Sequence, residues 1–412
     1  MSFQQGLSGL NAASKSLDSI GNNIANSSTV GYKASEVQFA DVYASSLTGS
    51  GGAQIGIGTK VGRVAQQFTQ GNVTASNNPL DIAINGGGFF RMSDNGVITY
   101  GRNGQFQLDK SGFVVNASGS RLTGYGTNAQ GALSTGAPTD INISTADLPP
   151  RTTVQVSALL NLNSSQAAPT TTPFDMADPT SYNNATSVTV FDSLGNSHVL
   201  QTFYVKTAAP GTWDVYATSD DTVLATTPAG GRIGTLEFGT DGALTPASVA
   251  SMPFSAPIPA MNGAAAFVPQ IDYRGTTQFG SPFSVNALDQ DGYSSGRLSG
   301  FTIGADGTIV GRYTNGKSTT LGQVVLANFA NPNGLQPLGN NVWAETANSG
   351  AALVGTPGSG SLGVLQASAV EDSNVDLTAE LVNMITAQRF YQANAQTIKT
   401  QDQVLQTLVN LR

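Results

Sequence analysis

The C-terminal stretch from residue 374 to residue 412 limits what this chain can fold into more than any other segment. It contains no proline or glycine, and apolar or small residues recur in it at spacings of three and four. These residues are Leu377, Leu381, Met384, Tyr391, Ala395, Ile398, Leu405 and Val409, with Gln388 and Asp402 as polar interruptions. The spacing predicts one helix with an apolar face. At about 1.5 Å per residue it would be roughly 60 Å long, much longer than most globular helices, so it needs a partner.

The N-terminal stretch has the same spacing and is the candidate partner. Its apolar residues are Phe3, Leu7, Leu10, Ala13, Leu17, Ile20 and Ile24. Ser2 and Gln5 have the spacing of a capping box, and the pattern ends in the polar run that begins at Asn26. Two lone helices leave the outer flank of each apolar stripe in water, so either the chain's own domain or helices from other copies must cover it.

We expect a subunit interface along these two helix faces. Ile385, Leu408 and Leu411 lie off the main stripe, which favours additional helices from other copies of the chain. The residues predicted to form the interface are Leu7, Leu10, Leu17, Ile20, Ile24, Leu377, Leu381, Met384, Tyr391, Ile398, Leu405 and Val409.

Between the terminal stretches the pattern is typical of β-structure, because short apolar runs alternate with glycine-containing turns. We predict a mainly β chain with long paired terminal helices and two antiparallel β domains, one nested in the other. The predicted segments are an N-terminal helix at 1–33, a glycine-rich extended connector at 34–71, the first half of an inner β domain at 72–148, an inserted outer β domain at 149–275, the second half of the inner domain at 276–361, and a return connector with the C-terminal helix at 362–412. The predicted core of the inserted domain contains Phe191, Phe203, Tyr204 and Trp213.

The composition excludes several classes of protein. The chain has no cysteine, which excludes disulfides, thiolate metal ligands and a cysteine nucleophile. Charged residues make up 11%, against about 25% in typical soluble domains. A weakly charged surface reduces self-repulsion when identical copies stack, although secreted β-rich proteins share this composition. The net charge of −8, without a cluster of Lys and Arg, argues against nucleic acid as a partner.

The sequence predicts no insertion into a membrane, because it contains no run of 18 apolar residues. Its first ten residues lack the basic region and continuous apolar core of a secretory signal. If the protein leaves the cell, we expect export without a cleaved signal peptide.

Three motifs suggest chemistry, and each has a simpler interpretation. Residues 311–318 match the P-loop pattern G-x-x-x-x-G-K-[ST], but Asn315-Gly316 favours a hairpin turn, and strand-like residues follow where phosphate binding needs a helix. His198 is the only histidine, and no G-x-S-x-G elbow accompanies it. The sequence DQDG at 289–292 lacks the other ligands of a calcium loop. We therefore predict no enzymatic activity, no cofactor and no metal site.

Both ends of the chain resemble the terminal signatures of the bacterial flagellar rod and hook protein family. The first segment is SGLNAASKSLDSIGNNIANSSTVGYK at 8–33, and the second is SNVDLTAELVNMITAQRFYQANAQTIKTQDQVLQTLVNLR at 373–412. LDIAINGGGFFRM and the following YGRNGQFQLDKSGFVVNASGSRLTGYG also resemble the β domain that the family shares. Where the family usually has Thr before Arg, this chain has Gly101.

The resemblance implies a structural subunit that polymerises into a curved, hollow tube, which transmits torque from rod to filament and provides an export channel. The chain's length favours the hook members, since smaller rod members would lack most of the inserted domain. The implied partners are other copies of the chain, the distal rod protein, hook–filament junction proteins, the hook cap scaffold and the flagellar type III export apparatus, with a location in the hook outside the cell. Two alternatives stay open: a distal rod subunit, and a secreted β-rich adhesin with a helical oligomerisation stalk.

Overall fold

The computed structural model of the chain describes residues 2–42, 56–128, 131–226 and 230–410. Its contacts divide the chain into two compact units. Unit 1 contains Met1–Thr145, Gly300–Gly311 and Ser318–Arg412, and unit 2 contains Ala146–Ser299 and Arg312–Lys317. The division into six segments made from the sequence stays a prediction.

Strands form most of the regular structure. Among the described residues the helices are α1 (Ser2–Ala25), α2 (Pro246–Ala250) and α3 (Leu377–Asn410), with a 3-10 turn at Pro332–Gly334. The first strands in chain order are β1 (Ser35–Val42), β2 (Gly58–Gln66), β3 (Val73–Ala75), β4 (Ile82–Asn85), β5 (Phe89–Asp94), β6 (Val97–Gly101), β7 (Phe106–Leu108), β8 (Val114–Asn116), β9 (Arg121–Gly126), β10 (Thr139–Asp140), β11 (Gln155–Asn163), β12 (Asn184–Phe191), β13 (Ser197–Lys206), β14 (Thr212–Ser219) and β15 (Thr222–Val223). The later strands are β16 (Arg232–Glu237), β17 (Phe254–Ser255), β18 (Gln270–Asp272), β19 (Thr277–Phe279), β20 (Ser284–Gln290), β21 (Leu298–Ile303), β22 (Thr308–Tyr313), β23 (Ser318–Val324), β24 (Leu326–Asn328), β25 (Gln336–Gly339), β26 (Val342–Ala344), β27 (Leu353–Gly355), β28 (Val364–Ala367) and β29 (Ala369–Glu371).

The predicted fold class is confirmed, because the chain is mainly β and its two terminal helices pack on each other. α3 begins where the Asp376 side chain accepts hydrogen bonds from the N–H groups of Thr378 and Ala379, at 2.9 and 3.1 Å. Such a cap satisfies backbone donors that the first helical turn leaves without partners. Within the part of the chain that the structure describes, no helix has both the length and the hydropathy needed to cross a bilayer.

Unit 1 is built from segments far apart in sequence. Its largest sheet includes the path β23-β9-β5-β6-β26-β25. β3 pairs with β29 and β4 pairs with β28, both antiparallel, so the segment after the N-terminal hairpin lies beside the segment before α3. Rings pack edge to face in the core, where Phe89 lies 5.4, 5.9 and 5.8 Å from the ring centres of Phe68, Phe329 and Trp343. The pairing of distant segments brings the end of α1 and the beginning of α3 to one place.

Unit 2 contains two five-stranded sheets that share one apolar core. Tyr204 and Trp213 are completely buried in this core, as predicted. Phe203 is also buried, but its ring packs against Phe174 at 5.1 Å on a separate aromatic cluster, since neighbouring strand residues point to opposite faces. Phe191 is only partly buried.

Strand pairing in unit 2 is not purely antiparallel, which differs from the predicted antiparallel domain. β11 pairs parallel with both β18 and β19 and antiparallel with β20. Hairpin turns in the sequence signal antiparallel neighbours, whereas a parallel pair leaves no local turn signal because its strands are distant in sequence.

The segment predicted as an extended connector forms a two-stranded ribbon in its described part. β1 and β2 pair antiparallel from Ser35 with Gln66 to Val42 with Gly58, with one register shift between Gln38 and Phe39. Residues 43–55 of the predicted connector lie outside the described residues. The ribbon packs along α1 and thereby forms part of the surface beside the helix pair.

Candidate subunit interface

α1 and α3 form an antiparallel pair. Gly6 of α1 lies at the level of Ile398 of α3, whereas near the other end Asn23 Nδ2 donates a hydrogen bond of 2.9 Å to Glu380 Oε1. The helices approach closely at Gly9, where a Cβ atom would come within 2.6 Å of the Asn394 side chain. Small residues on α1 therefore permit this close contact.

The predicted interface residues differ in how far the pairing covers them. Ile20 is buried, and Leu10, Leu17, Ile24, Met384 and Ile398 are partly buried. Leu7, Leu377, Leu381, Tyr391, Leu405 and Val409 are exposed, from 38% for Tyr391 to 74% for Val409. Half of the predicted set is thus at least partly buried within the subunit, and the other half lies on its surface.

The helix contact lies along part of the α3 face that the apolar spacing indicates, since Ile398 of the predicted set lies against Gly6 of α1. α3 turns Glu380, Ala387 and Asn394 toward α1, whereas the predicted stripe contains the next position, Leu381. Neighbouring residues in an α-helix are about 100° apart, so Leu381 points away from α1. The small residues Gly6, Gly9 and Ala13 are the signal in the sequence for the α1 side of this contact.

An exposed polar stripe continues the Leu381 face along α3. It is formed by Gln388, Gln392, Gln396, Lys399, Gln403 and Gln406. The same face of the helix is therefore apolar in its first turns and amide-rich afterwards.

A groove of about 480 Å³ lies between α1, β1 and the first half of α3. Ile20 and Ala387 are its buried apolar residues, and Phe390, which is 62% exposed, lies at its edge. Its two carboxylates, Glu36 and Glu380, accept hydrogen bonds from amide side chains, and neither forms an ion pair with a described residue. The groove is therefore half apolar and carries two negative charges without a cation.

A buried ion cluster joins the helix pair to the β-structure of unit 1. Lys33 follows α1, Arg102 follows β6, and Glu371 ends β29 before α3. Lys33 Nζ lies 2.6 Å from Glu371 Oε1, and Arg102 Nε lies 3.1 Å from Glu371 Oε2, with all three side chains at most 3% exposed. The Gly71 N–H also donates to Glu371 Oε1, at 3.0 Å. One carboxylate thus connects three segments of the chain.

The two cations of this cluster have further acceptors. Lys33 Nζ donates to the Thr69 carbonyl at 2.7 Å, and Arg102 donates to the carbonyls of Gly88 and Gly86 at 2.7 and 2.9 Å. Burial lowers the pKa of Lys33, an effect that Glu371 opposes and Arg102 strengthens. The stability of this junction therefore depends on the charge of Glu371.

The only histidine lies in unit 2, between two carboxylates. His198 is 4% exposed, its Nδ1 lies 2.6 Å from Asp220 Oδ2, and its Nε2 lies 3.3 Å from Asp192 Oδ2. Burial lowers the pKa of His198, but the hydrogen bonds and charges of Asp220 and Asp192 outweigh burial and raise it overall. The arrangement stabilises an imidazolium between two carboxylates.

The other motifs have structural explanations as well. Residues 314–317 of the P-loop match form the turn between β22 and β23, and a strand follows them. This confirms the predicted hairpin turn. Asp291 of the DQDG sequence lies 2.9 Å from Arg151 NH2 and accepts N–H groups from Val154 and Gln155. Its oxygens therefore hold a loop.

Four segments of the chain match known families. Residues 3–33 match "Flagella basal body rod protein", residues 83–159 match "Flagellar hook protein FlgE/F/G D1 domain", residues 161–293 match "Flagellar basal body protein FlaE D2 domain", and residues 366–411 match "Flagellar basal body rod FlgEFG protein C-terminal". These matches define the class of the chain as the flagellar rod and hook proteins.

Full-length relatives narrow this class. The chain is 46% identical to flagellar hook protein FlgE of Escherichia coli over 418 aligned residues and 45% identical to that of Salmonella typhimurium over 416, with all of each chain covered. It is 33% identical to FlgE of Rhizobium meliloti, covering 98% of that protein. A crystal structure of Helicobacter pylori FlgE2 shares the fold, with a TM-score of 0.52 and 12% identity over 72% of this chain and 100% of the other. The chain belongs to the flagellar hook protein family, so the predicted resemblance is confirmed and the adhesin alternative is set aside.

Proposed function

We propose that the chain polymerises into the curved, hollow tube of the flagellar hook, with the α1–α3 pair as its inner wall. The observation that carries this proposal is the apolar surface that the helix pair leaves in water. Its residues, each at least 38% exposed, are Phe3, Leu7, Leu377, Leu381, Val382, Ile385, Phe390, Tyr391, Val404, Leu405 and Val409. Soluble monomers rarely expose extended apolar surface, and in this proposal other copies of the chain cover it.

The energy available from this surface fits cooperative assembly. Complete burial of one such side chain contributes about 1.5–3 kcal/mol, and these residues are already about half covered, so the sum is on the order of 10 kcal/mol per subunit. Association costs roughly 4–15 kcal/mol in lost freedom. A subunit therefore binds stably only when several neighbours contact it together. Contacts between unlike faces that do not close a ring then produce an open helical filament.

The amide-rich stripe of α3 supports a wall that faces a channel. Glutamine side chains remain hydrated and carry no charge, so they offer little binding energy to an unfolded chain in transit. We place the middle of this stripe, Gln388, Gln392 and Gln396, on the channel side, and the apolar first turns at Leu381 against a neighbouring helix. The apolar residues on the other exposed faces of α3 then contact neighbouring helices.

The proposed role is mechanical, without catalysis. When a curved tube rotates, each line of subunits shortens and lengthens in turn. Weakly charged polar contacts between subunits slide at low cost, while the helix wall keeps the tube continuous. The proposed partners are the distal rod protein at one end, hook–filament junction proteins at the other, the hook cap scaffold during growth and the flagellar type III apparatus during export. The proposed location is outside the cell, reached without a cleaved signal peptide.

The test is the variant Leu381→Asp. Leu381 is 46% exposed in the subunit, so the substitution should change its stability by less than about 0.5 kcal/mol. In the tube the carboxylate would be buried without a partner, which opposes assembly. We expect normal secretion and a folded monomer, and no hooks by electron microscopy.

Gln392→Asp is the matched control. It places the same charge on the same face of α3, three turns further on, at an exposed amide of the polar stripe. We expect hooks from this variant. Hooks of normal length from Leu381→Asp would exclude this face from the interface, and loss of hooks in both variants would show that any charge on α3 prevents assembly.

A further inference from the structure

α3 extends beyond the end of its partner helix. Gly6 lies opposite Ile398 and Gly9 opposite Asn394, and this antiparallel register places Ser2, where α1 begins, opposite Gln401. Residues 402–410 of α3 therefore have no described residue of α1 beside them. At about 1.5 Å per residue this tip is roughly 13 Å long.

The tip carries apolar side chains that continue the α1-facing side of α3. Leu405 and Val409 follow Ile398 at spacings of seven and eleven residues, which keeps them on about the same side of the helix. They are 49% and 74% exposed, and Val404 beside them is 48% exposed. The stripe that binds α1 thus continues past the described start of α1, and its residues there are exposed.

The groove described above lies at the opposite end of the helix pair and complements the tip. Its volume of about 480 Å³ is about three times that of a cavity able to hold one benzene ring, and its floor at Ile20 and Ala387 is apolar. Its carboxylates, Glu36 and Glu380, have no ion-pair partner among the described residues, and neither has the exposed Lys399 just before the tip. Groove and tip are therefore both partly apolar, and Lys399 has the charge opposite to that of the two groove carboxylates.

We propose that the α3 tip of one subunit binds in the groove of the next subunit along the tube, with Lys399 near the Glu36 and Glu380 carboxylates. Because tip and groove lie at opposite ends of one helix pair, this contact joins unlike surfaces and repeats without closing. The occupant of the groove is thus a second copy of the chain. This inference rests on the proposed polymerisation and assigns one of its contacts.

The absence of cysteine permits a direct test by disulfide trapping. Two single variants, Leu405→Cys on the tip and Thr386→Cys on the groove, are mixed, polymerised and oxidised, so that only contacts between copies form a heterodimer. A disulfide requires Cα atoms within about 7 Å. The control mixes Leu405→Cys with Ile385→Cys, which is the neighbouring α3 residue on the opposite side of the helix from the groove.

We expect heterodimers from the Thr386 pair and none from the Ile385 pair. Heterodimers from the Ile385 pair alone would place the tip on the opposite face of α3 and overturn the proposal, and so would hooks that give no heterodimer in either mixture. Electron microscopy of the unmodified chain and of each mixture comes first. Absence of hooks from the unmodified chain would contradict the proposed function and would leave no polymer in which to test the contact between tip and groove.

Hydrogen exchange on the unmodified chain is the second measurement, and it stands even if the cysteine variants fail to assemble. Polymerisation should slow exchange roughly tenfold or more in both the tip at 402–410 and the groove segment at 380–390. Protection of the groove segment without the tip would show that another surface fills the groove and would overturn the proposal.

Discussion

Replacement of Glu371 by Gln should release the junction between the helix pair and the β-structure of unit 1. Gln keeps the size of the side chain and an acceptor for the Gly71 N–H, but it removes the anion that pairs with both Lys33 and Arg102. Removing one partner of a buried ion pair typically costs about 3–5 kcal/mol, because the remaining charge stays buried. Glu371 and Lys33 are fully buried, so the cost belongs in this range.

In the variant Lys33 can lose its proton and become neutral, so we expect the loss of stability to lie at the lower end of the range of about 3–5 kcal/mol. Burial already lowers the pKa of Lys33, and Glu371 is the group that opposes the shift, so the substitution lowers this pKa further. A group with a depressed basic pKa binds fewer protons in the folded state, and stability then rises with pH. We expect a loss of about 3 kcal/mol at neutral pH that becomes smaller at alkaline pH.

Hydrogen exchange in unit 1 measures this loss. The Gly31 N–H donates to the Glu371 carbonyl at 2.7 Å and the Gly71 N–H to its side chain at 3.0 Å, so both amides report the junction. A loss of about 3 kcal/mol corresponds to roughly 10²-fold faster exchange. Segments of unit 2 provide an internal reference and should not change.

Two variants distinguish the charge effect from a general effect of substitution. Asp18→Asn breaks the Lys15–Asp18 pair, whose side chains are 63% and 64% exposed, and should cost less than about 0.5 kcal/mol. The double variant Lys33→Met with Glu371→Gln removes both charges and should recover much of the protection. Exchange of the Glu371→Gln variant within threefold of the unmodified chain, or no recovery in the double variant, would refute the reasoning.

Two further predictions concern His198 and Gly104. The pKa of His198 is raised, so its contribution to the stability of unit 2 is complete below the unfolded value near 6.5 and is lost as pH rises through the folded value. The imidazole NMR resonance of His198 should titrate with a midpoint above 6.5, and His198→Gln should remove the pH dependence of stability. A midpoint below 6.5 would contradict this prediction. Gly104→Ala would press a methyl group into the Ile82 carbonyl and should destabilise unit 1 by about 1–3 kcal/mol in calorimetry, whereas Gly21→Ala, with open space around it, should stabilise α1 by up to about 1 kcal/mol. Equal melting temperatures for the two variants would argue against the close approach at Gly104.

The features that the sequence predicted well are those with a local signal. The terminal helices follow from apolar spacing, and the turn at Asn315-Gly316 follows from the backbone preferences of that dipeptide. Features that depend on distant segments had no such signal. The ion cluster joins residues 33, 102 and 371, and the aspartates around His198 come from two separate turns, so no spacing in the sequence marks either site.

The predicted apolar stripe of α3 is only partly buried within the subunit, which bears on assembly. Apolar spacing identifies residues that are buried in the final assembly. It does not show whether they are buried by the same chain or by a neighbouring chain. In α3 the contact with α1 includes Asn394 and Ile398, which lie against Gly9 and Gly6, where the missing side chains of glycine let the helices approach closely. The larger residues, such as Leu381, stay on the surface of the subunit. A sequence selected for a packed polymer therefore keeps large apolar residues on the faces that neighbouring copies cover. Folding of the single subunit buries only the other apolar residues.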